Sequence, residues 1–166
     1  DAGCGTGLSL PLLRAAVGPR GDVVGIEQCP EMLTRARACI AQRGWRNVRL
    51  IEASVEDAAI GLRADAALFH FTHDILRAPA AIDNVLAALR PRASVVACGL
   101  KWAPPWAWPV NAFVWGAALH SASSLAGLDA PWSLLARHLD AFDLDSTLLG
   151  GAVYIAHGTT HQEAPP

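Results

Sequence analysis

The chain has 166 residues, a length that corresponds to one domain with a full hydrophobic core. Hydrophobic residues make up 52% of it and charged residues 17%, a balance that excludes an intrinsically disordered chain. The net charge of −2 argues against a large positively charged surface of the kind that binds nucleic acid, so we expect no nucleic-acid partner.

The four cysteines stand at positions that fit neither a disulfide framework nor a metal site. Cys4, Cys29, Cys39 and Cys98 form no C-x-x-C pair and no metal-ligand spacing. We therefore expect reduced thiols, no bound metal and a cytoplasmic protein.

The first seven residues combine three glycines with an acid. Gly3, Gly5 and Gly7 follow a G-x-G-x-G spacing, which indicates backbone that turns tightly and lets a ligand approach closely. A dinucleotide fingerprint needs its third glycine one position later, where Leu8 stands. A helix beginning after this loop would point its free amide groups at whatever binds over it.

A second acid follows the next predicted strand. Helix is predicted over positions 8–17, and its expected apolar residues are Leu8, Leu12, Leu13 and Ala16. Val23–Ile26 is then a short apolar run, typical of a buried parallel strand. Glu27 ends that strand, 24 residues after Gly3. A carboxylate at this point can accept hydrogen bonds from both hydroxyl groups of a ribose.

The glycine loop and Glu27 together resemble motif I and the following acid of the class I S-adenosylmethionine-dependent methyltransferases. The resemblance implies an α/β fold, a three-layer Rossmann-like sandwich whose mostly parallel sheet ends in an antiparallel hairpin. It also implies that S-adenosyl-L-methionine is the cofactor, with the loop under its amino-acid part. The cofactor-binding positions that it implies are Asp1, Gly3, Cys4, Gly5, Gly7, Glu27, Gln28, Ser54, Val55 and His70.

The rest of the chain alternates strands with helical patterns, which favours right-handed crossovers and a parallel sheet. A two-residue loop at Gly150–Gly151 predicts a closing hairpin. Positions 158–166 are predicted to be a flexible tail of the single domain 1–166. The other predicted helices cover 29–44, 79–89 and 132–139, a helix or turn 55–62, and the strands 48–51, 64–71, 94–100, 142–149 and 152–157.

The sequence begins at the acid of the glycine loop. Members of the family have a central strand just before this acid, and its loss would leave unpaired backbone in the sheet. We therefore expect the chain to be a fragment of a longer protein. An unusually compact variant of the fold is the alternative.

The expected adenine contact departs from the family pattern. The family often has Gly-Asp-Ala after its third strand, where the acid takes the adenine amino group. Ala53, Ser54 and Val55 stand in those places. Serine offers a hydrogen bond without a charge, and Glu52 or Glu56 can substitute only in a shifted register.

Two histidines stand at the carboxyl end of the predicted strand 64–71, at the edge where open parallel sheets bind ligands. His70 is a candidate cofactor contact, and both His70 and His73 are candidate general bases. His73 and Asp74 form a candidate oriented pair. The alternative is an ordinary hydrogen-bonded histidine near a strand end. Because methyl transfer from a sulfonium depends mainly on alignment, the catalytic residue stays unassigned.

Positions 101–131 are predicted to be a substrate-side insertion or lid. Between Trp102 and Leu128 the only acidic or basic side chain is His120. Aromatic walls favour an apolar, planar or cationic acceptor, and we expect a small or lipid-like, apolar one. A plain core or dimer surface and a membrane-contacting patch are the alternatives. The tryptophans of this segment are Trp102, Trp106, Trp108 and Trp115.

The sequence thus predicts an S-adenosylmethionine-dependent methyltransferase that acts on a small or lipid-like substrate, in an oligomeric state that it does not specify. One alternative is a nicotinamide-dependent Rossmann oxidoreductase, against which Leu8 and the terminal hairpin count. Another is a truncated or degenerate, non-catalytic protein of the same fold, which Ser54 and the missing first strand motivate.

Overall fold

The computed structural model of the chain describes residues 1–121 and 125–162. Helices and strands alternate through its first hundred residues, and a hairpin closes the fold. The helices are α1 (Leu10–Val17), α2 (Pro30–Arg43), α3 (His73–Leu76), α4 (Pro79–Ala87) and α5 (Trp108–Ser121). The strands are β1 (Val23–Glu27), β2 (Val48–Glu52), β3 (Ala64–His70), β4 (Leu89–Leu100), β5 (Leu139–Leu148) and β6 (Val153–Thr160).

The strands pair as the sequence predicts, parallel first and antiparallel at the end. β1 pairs with β2 and β3 with β4, both in parallel, whereas β6 is antiparallel to β4 and to β5. The orders are β2-β1 in one group and β3-β4-β6-β5 in the other. The α/β class, the parallel sheet and the terminal hairpin are therefore confirmed.

Asp1 and Ala2 lie between the two groups of strands. The amide of Ile26 in β1 donates to the carbonyl of Asp1 at 2.9 Å, and the amide of Ala2 donates to the carbonyl of Leu68 in β3 at 2.9 Å. The glycine loop therefore starts in the middle of the strand array, between the carboxyl ends of β1 and β3.

Neighbouring residues of β1 show that helices cover both faces of the sheet. Val23 packs in a cluster with Leu10 of α1 and Ala36 of α2. Val24 packs against a different cluster, which contains Ile82 of α4. Because successive side chains of a strand point to opposite faces, these clusters form the two inner layers of a three-layer sandwich.

The start of α1 differs from the sequence prediction. The helix begins at Leu10 rather than at position 8, with Pro11 in its first turn, where proline is tolerated. Leu8 and Leu12, expected on the apolar face, are 84% and 76% exposed, and Leu10 is fully buried instead. Leu8 lies before the helix, and the helix face that packs inward is the one that carries Leu10 rather than Leu12.

Two predictions for the carboxyl-terminal part are wrong. The expected helix over 132–139 is only a short 3-10 turn, Leu135–His138, because Leu139 already starts β5. The expected tail from Gly158 is strand as far as Thr160, since β6 continues to pair with β4 and Gly158 lies opposite Val95. Positions 163–166 of that predicted tail lie outside the described residues.

The tryptophan-rich segment has one packed side and one exposed side. Val114 and Ala118 of α5 pack in a cluster with Leu128. Trp106, Trp108 and Trp115 are 77%, 71% and 53% exposed, so the plain-core alternative is wrong for these three side chains. In the described part of the chain, no helix combines the length and apolar character needed to cross a bilayer.

Candidate active site

A cleft of about 730 Å³ opens at the carboxyl ends of β1 and β3. Its walls come from the glycine loop, the end of β1, the turn after β2 and the segment that joins β3 to α3. Eight of the ten predicted cofactor positions line it: Asp1, Gly3, Cys4, Gly5, Glu27, Gln28, Val55 and His70. Gly7 and Ser54 are not among its lining residues.

The glycine loop brings backbone to the cleft where side chains would interfere. Gly3 has φ +82°, and a Cβ there would lie 2.6 Å from Thr72 Cγ2 and 2.7 Å from Ile75 Cδ1. Gly5 has φ +54°, and the nearest atom to a Cβ there is Met32 Sδ at 3.9 Å. Gly3 therefore permits close packing, whereas Gly5 keeps open space on the cleft side.

Gly7 has a packing role in the structure. A Cβ at this position would lie 2.8 Å from Leu10 Cδ1 and 3.2 Å from the Cβ of Ala36. The missing side chain lets α1 and α2 approach each other beneath the loop. The predicted cofactor contact of Gly7 thus becomes an indirect one, through the position of the loop.

Glu27 is fixed to the glycine loop through its carboxylate. Oε2 accepts a hydrogen bond from the amide of Gly5 at 3.0 Å, and Oε1 accepts one from the amide of Cys29 at 2.9 Å. Each carboxylate oxygen can accept a further hydrogen bond, so the group retains capacity toward the cleft. Its orientation is set before any ligand binds.

Asp1 presents an acceptor without a partner. Its Oδ2 accepts a hydrogen bond from the hydroxyl of Ser9, whereas its Oδ1 is buried and has no hydrogen-bond partner among the residues that the structure describes. Buried polar atoms are normally hydrogen-bonded. An unpaired carboxylate oxygen beside the cleft suits a ligand that donates a hydrogen bond or carries a positive charge.

The turn after β2 places Ser54 and Glu56 differently from the family pattern. The hydroxyl of Ser54 donates to Asp57 Oδ2 at 2.8 Å, in the turn itself. Ala53, Val55 and Glu56 line the cleft in its place. The carboxylate available at this end of the cleft therefore belongs to Glu56.

The segment after β3 carries the two candidate histidines. His70 is exposed, and its ring meets the edge of the Phe71 ring at a centroid distance of 4.9 Å. Phe71 has φ +57°, an unusual conformation for a residue with a side chain. His73 is half-buried, and its Nε2 is 3.1 Å from the carbonyl oxygen of Ala126. Both histidines line the cleft.

Cys4 lies under the loop as a buried thiol. Burial, and then the negative charge of Glu27, raise the pKa of this thiol to about 11. The side chain is therefore a neutral thiol at physiological pH and cannot act as a thiolate nucleophile. Its sulfur would lie 2.8 Å from a Cβ at Gly25, so the role that the structure supports is packing between the loop and β1.

Several cleft residues carry no strong sequence signal. Thr72 and Ile75 are ordinary residues of a strand-to-helix connection, and only the close approach of Gly3 reveals them. Met32 is 44% exposed and lines the cleft, and its Sδ would lie 3.9 Å from a Cβ at Gly5. Its sequence signal is weak, because a methionine next to the buried Leu33 is equally compatible with the core.

Comparison with known proteins identifies the family to which this chain belongs. A family model described as a methyltransferase domain matches residues 1–92. The chain belongs to this family of class I S-adenosylmethionine-dependent methyltransferases. The resemblance drawn from the glycine loop and Glu27 is thereby confirmed.

A curated relative supports the same assignment for part of the chain. Carboxy-S-adenosyl-L-methionine synthase of Methylococcus capsulatus is 36% identical over 91 residues, which make up 54% of this chain and 37% of that protein. The chain therefore spans little more than a third of the length of this curated relative.

Solved structures share the fold at low sequence identity. The N-methyltransferase NodS from Bradyrhizobium japonicum WM9 has a TM-score of 0.62 and 16% identity, over 96% of this chain and 83% of that chain. NodS in complex with S-adenosyl-L-homocysteine has a TM-score of 0.64 and 16% identity, over 95% and 74%. An rRNA methylase from Streptococcus thermophilus has a TM-score of 0.59 and 16% identity, over 98% and 85%.

Proposed function

We propose that the protein transfers a methyl group from S-adenosyl-L-methionine to a small or lipid-like acceptor. The observation that carries this proposal is the carboxylate of Glu27, held at 3.0 Å from the Gly5 amide on the rim of a cleft of about 730 Å³. A fixed carboxylate beside side-chain-free backbone suits a nucleoside whose ribose and amino-acid parts lie side by side.

The residues of the cleft fit the chemical groups of this methyl donor. The unpaired Oδ1 of Asp1 suits the ammonium of the amino-acid part, and the free lone pairs of Glu27 suit two ribose hydroxyls. Val55 and Glu56 line the same cleft and are the proposed neighbours of the base. When bound, the sulfonium supplies an activated methyl group, so the chain has to align the acceptor and exclude water.

Calorimetry with S-adenosylhomocysteine and with NAD tests the choice of cofactor. We expect S-adenosylhomocysteine to bind and NAD to give no heat. Binding of NAD alone would favour the nicotinamide-dependent oxidoreductase. The absence of a heat of binding for both ligands would favour the non-catalytic protein. A screen of methyl acceptors with radiolabelled S-adenosyl-L-methionine then tests the transfer itself.

The proposed acceptor is apolar because of the composition of the segment from Trp102 to Leu128. No acidic or basic side chain other than His120 occurs between Trp102 and Leu128, and three tryptophans of this segment are exposed. The names of the similar structures cover an N-methyltransferase and an rRNA methylase, so they do not select one acceptor class. We propose cytoplasmic location from the four free cysteines.

The curated relative motivates a second candidate reaction. Its name states that it makes carboxy-S-adenosyl-L-methionine, so S-adenosyl-L-methionine would be the molecule that is modified rather than the methyl donor. Mass spectrometry separates the two candidates. Methyl transfer yields a methylated acceptor and S-adenosylhomocysteine, whereas the second reaction yields a heavier sulfonium nucleoside and no S-adenosylhomocysteine.

A further inference from the structure

A second, smaller cavity of about 30 Å³ adjoins the cleft. Phe71, Thr72 and His73 line both spaces, so the two spaces meet at this segment. A volume of this size holds about two water-sized groups, which is enough for a hydroxyl or amino group and its first carbon. The remaining lining residues are Gly99, Leu100, Ala118, Leu128, Pro131 and Tyr154, so no carboxylate, ammonium or guanidinium group belongs to the described lining.

The hydrogen bond to Ala126 fixes the tautomer of His73. A carbonyl oxygen only accepts hydrogen bonds, so the ring nitrogen 3.1 Å from it, Nε2, carries the hydrogen. In the neutral ring, Nδ1 then carries a lone pair and no hydrogen. Nδ1 is buried and has no hydrogen-bond partner in residues 1–121 and 125–162.

Two further observations concern the segment that lines both spaces. The guanidinium Nη1 of Arg77 donates to the same carbonyl of Ala126, so the carbonyl that orients the ring of His73 is itself held. The hydroxyl of Thr72 is also buried without a described partner. Unpaired buried polar atoms are costly, and Thr72 and His73, which line both spaces, each carry one in the described part of the chain.

We propose that this cavity receives the reacting end of the acceptor, an uncharged hydroxyl or amine, and that Nδ1 of His73 is its hydrogen-bond acceptor and general base. The proposal rests on the methyl-transfer function proposed above. The acceptor oxygen or nitrogen uses its lone pair to form the new bond to the methyl carbon. The carbon–sulfur bond breaks with its electron pair passing to sulfur, and the acceptor proton passes to Nδ1.

Two isomeric probes test the cavity without knowledge of the natural acceptor. 1-Butanol and methyl propyl ether have the same atoms, but only the alcohol donates a hydrogen bond. The ring nitrogens of His73 are followed by long-range ¹H–¹⁵N NMR, with and without saturating S-adenosylhomocysteine. We expect the alcohol to move the Nδ1 resonance toward that of a hydrogen-bonded imine nitrogen and the ether to leave it unchanged. Equal responses to both probes would overturn the proposal.

Butanoate and butylammonium extend the comparison to charged groups. Because the described lining offers no opposite charge, we expect neither ion to shift the His73 resonances at concentrations where 1-butanol does. A stronger response to either ion than to the alcohol would show that the cavity takes a charged group, which contradicts the proposal.

Two variants separate the proposed role of Nδ1 from the contact with Ala126. His73→Gln keeps a donor near Nε2 and removes Nδ1, whereas His73→Asn keeps a polar atom near Nδ1 and loses the contact with Ala126. Because neither variant has an imidazole ring, the two probes are compared by the chemical-shift changes of the backbone amides of Gly99 and Leu100, which line the cavity. We expect the Gln variant to respond equally to alcohol and ether and the Asn variant to respond more strongly to the alcohol. The reverse result would show that His73 acts only by holding Ala126. For an acceptor found by the screen, we expect His73→Gln to lower kcat about 10²-fold.

Calorimetry on the same samples keeps the two proposals apart. Absent S-adenosylhomocysteine binding would refute the methyl-transfer function, and the probe comparison without that ligand would still decide the nature of the cavity. Normal S-adenosylhomocysteine binding together with equal alcohol and ether responses would refute only the role of His73. We expect both variants still to bind S-adenosylhomocysteine, since the proposed contact of Nδ1 is to the acceptor.

Discussion

The carboxylate of Glu27 and the amide of Gly5 are joined by a hydrogen bond of 3.0 Å, although 22 positions separate them in the chain. The bond links the end of β1 to the turn that precedes α1. Because the second oxygen of Glu27 accepts from the amide of Cys29, the carboxylate also fixes the start of α2. One side chain thus joins the end of β1, the glycine loop and the start of α2, and it contributes a carboxylate to the cleft.

Glu27→Gln should weaken binding more than it weakens the fold. The amide side chain keeps one acceptor oxygen but presents an NH₂ group to a backbone donor or to a ribose hydroxyl. Hydrogen bonds to charged groups contribute about 1.5–3 kcal/mol, so we expect S-adenosylhomocysteine affinity to fall about 10- to 100-fold in calorimetry. Asp83→Asn is the matched control, because it removes one exposed carboxylate on α4. Equal affinities for the two variants would remove Glu27 from the binding site.

Gly3→Ala should destabilise the fold through a specific clash. The new Cβ would lie 2.6 Å from Thr72 Cγ2 and 2.7 Å from Ile75 Cδ1, on a residue with φ +82°. Gly44→Ala is the control, because Gly44 has φ +64° and nothing lies within 4 Å of its Cβ position. We expect about 1 kcal/mol of lost stability for Gly44→Ala and about 2–4 kcal/mol for Gly3→Ala in urea unfolding. Similar losses would mean that Thr72 and Ile75 move aside freely.

Local patterns in the sequence were sufficient to place the cleft. The position of Glu27 followed from two signals that do not depend on distant contacts, a short apolar strand and a dense run of glycines. Parallel strands bring their carboxyl ends to one edge, so both features had to meet there. The boundaries of β1 and α2 followed from the same kind of signal, with Pro30 and Gly44 marking the ends of the helix.

The directions of individual side chains could not be predicted in the same way. Ser54 and Glu56 stand two positions apart in a turn, and only the hydrogen bond from Ser54 to Asp57 decides which of them faces the cleft. The contact between His73 and Ala126 joins residues 53 positions apart, so no local sequence pattern predicts it. The short turn at Leu135–His138 looked like a helix because its apolar residues pack on the sheet.

The buried thiol of Cys4 predicts a pH dependence of stability. Its folded-state pKa is raised to about 11 by burial and by Glu27, above the ordinary value of 9.0. Between these values the folded state binds more protons than the unfolded state, so the stability that the thiol contributes is complete below pH 9 and is lost as the pH rises toward 11. We expect Cys4→Ala to make the free energy of unfolding fall less steeply over this range.

Cys39→Ala is the control for this measurement, because Cys39 is a half-buried thiol on the outer part of α2, away from the cleft. Urea unfolding between pH 8 and pH 11 gives the slopes, and the slope rather than the absolute stability is compared. Burial also raises the pKa of Tyr154 and of Cys98, and both groups are present in all three proteins. Parallel curves for the parent chain and Cys4→Ala would contradict the predicted titration.

Trp106 and Trp132 should respond in opposite ways to truncation. Trp106 is 77% exposed, whereas Trp132 packs against the main core with its ring 4.7 Å from that of the buried Tyr154. We expect Trp106→Ala to change the free energy of unfolding by less than about 0.5 kcal/mol and Trp132→Ala to lower it by about 2–3 kcal/mol. If the exposed tryptophans form the wall of an apolar acceptor site, Trp106→Ala should raise KM for the acceptor while S-adenosylhomocysteine affinity stays constant. A large loss of stability in Trp106→Ala would instead show that this ring is covered in solution, as a dimer surface requires.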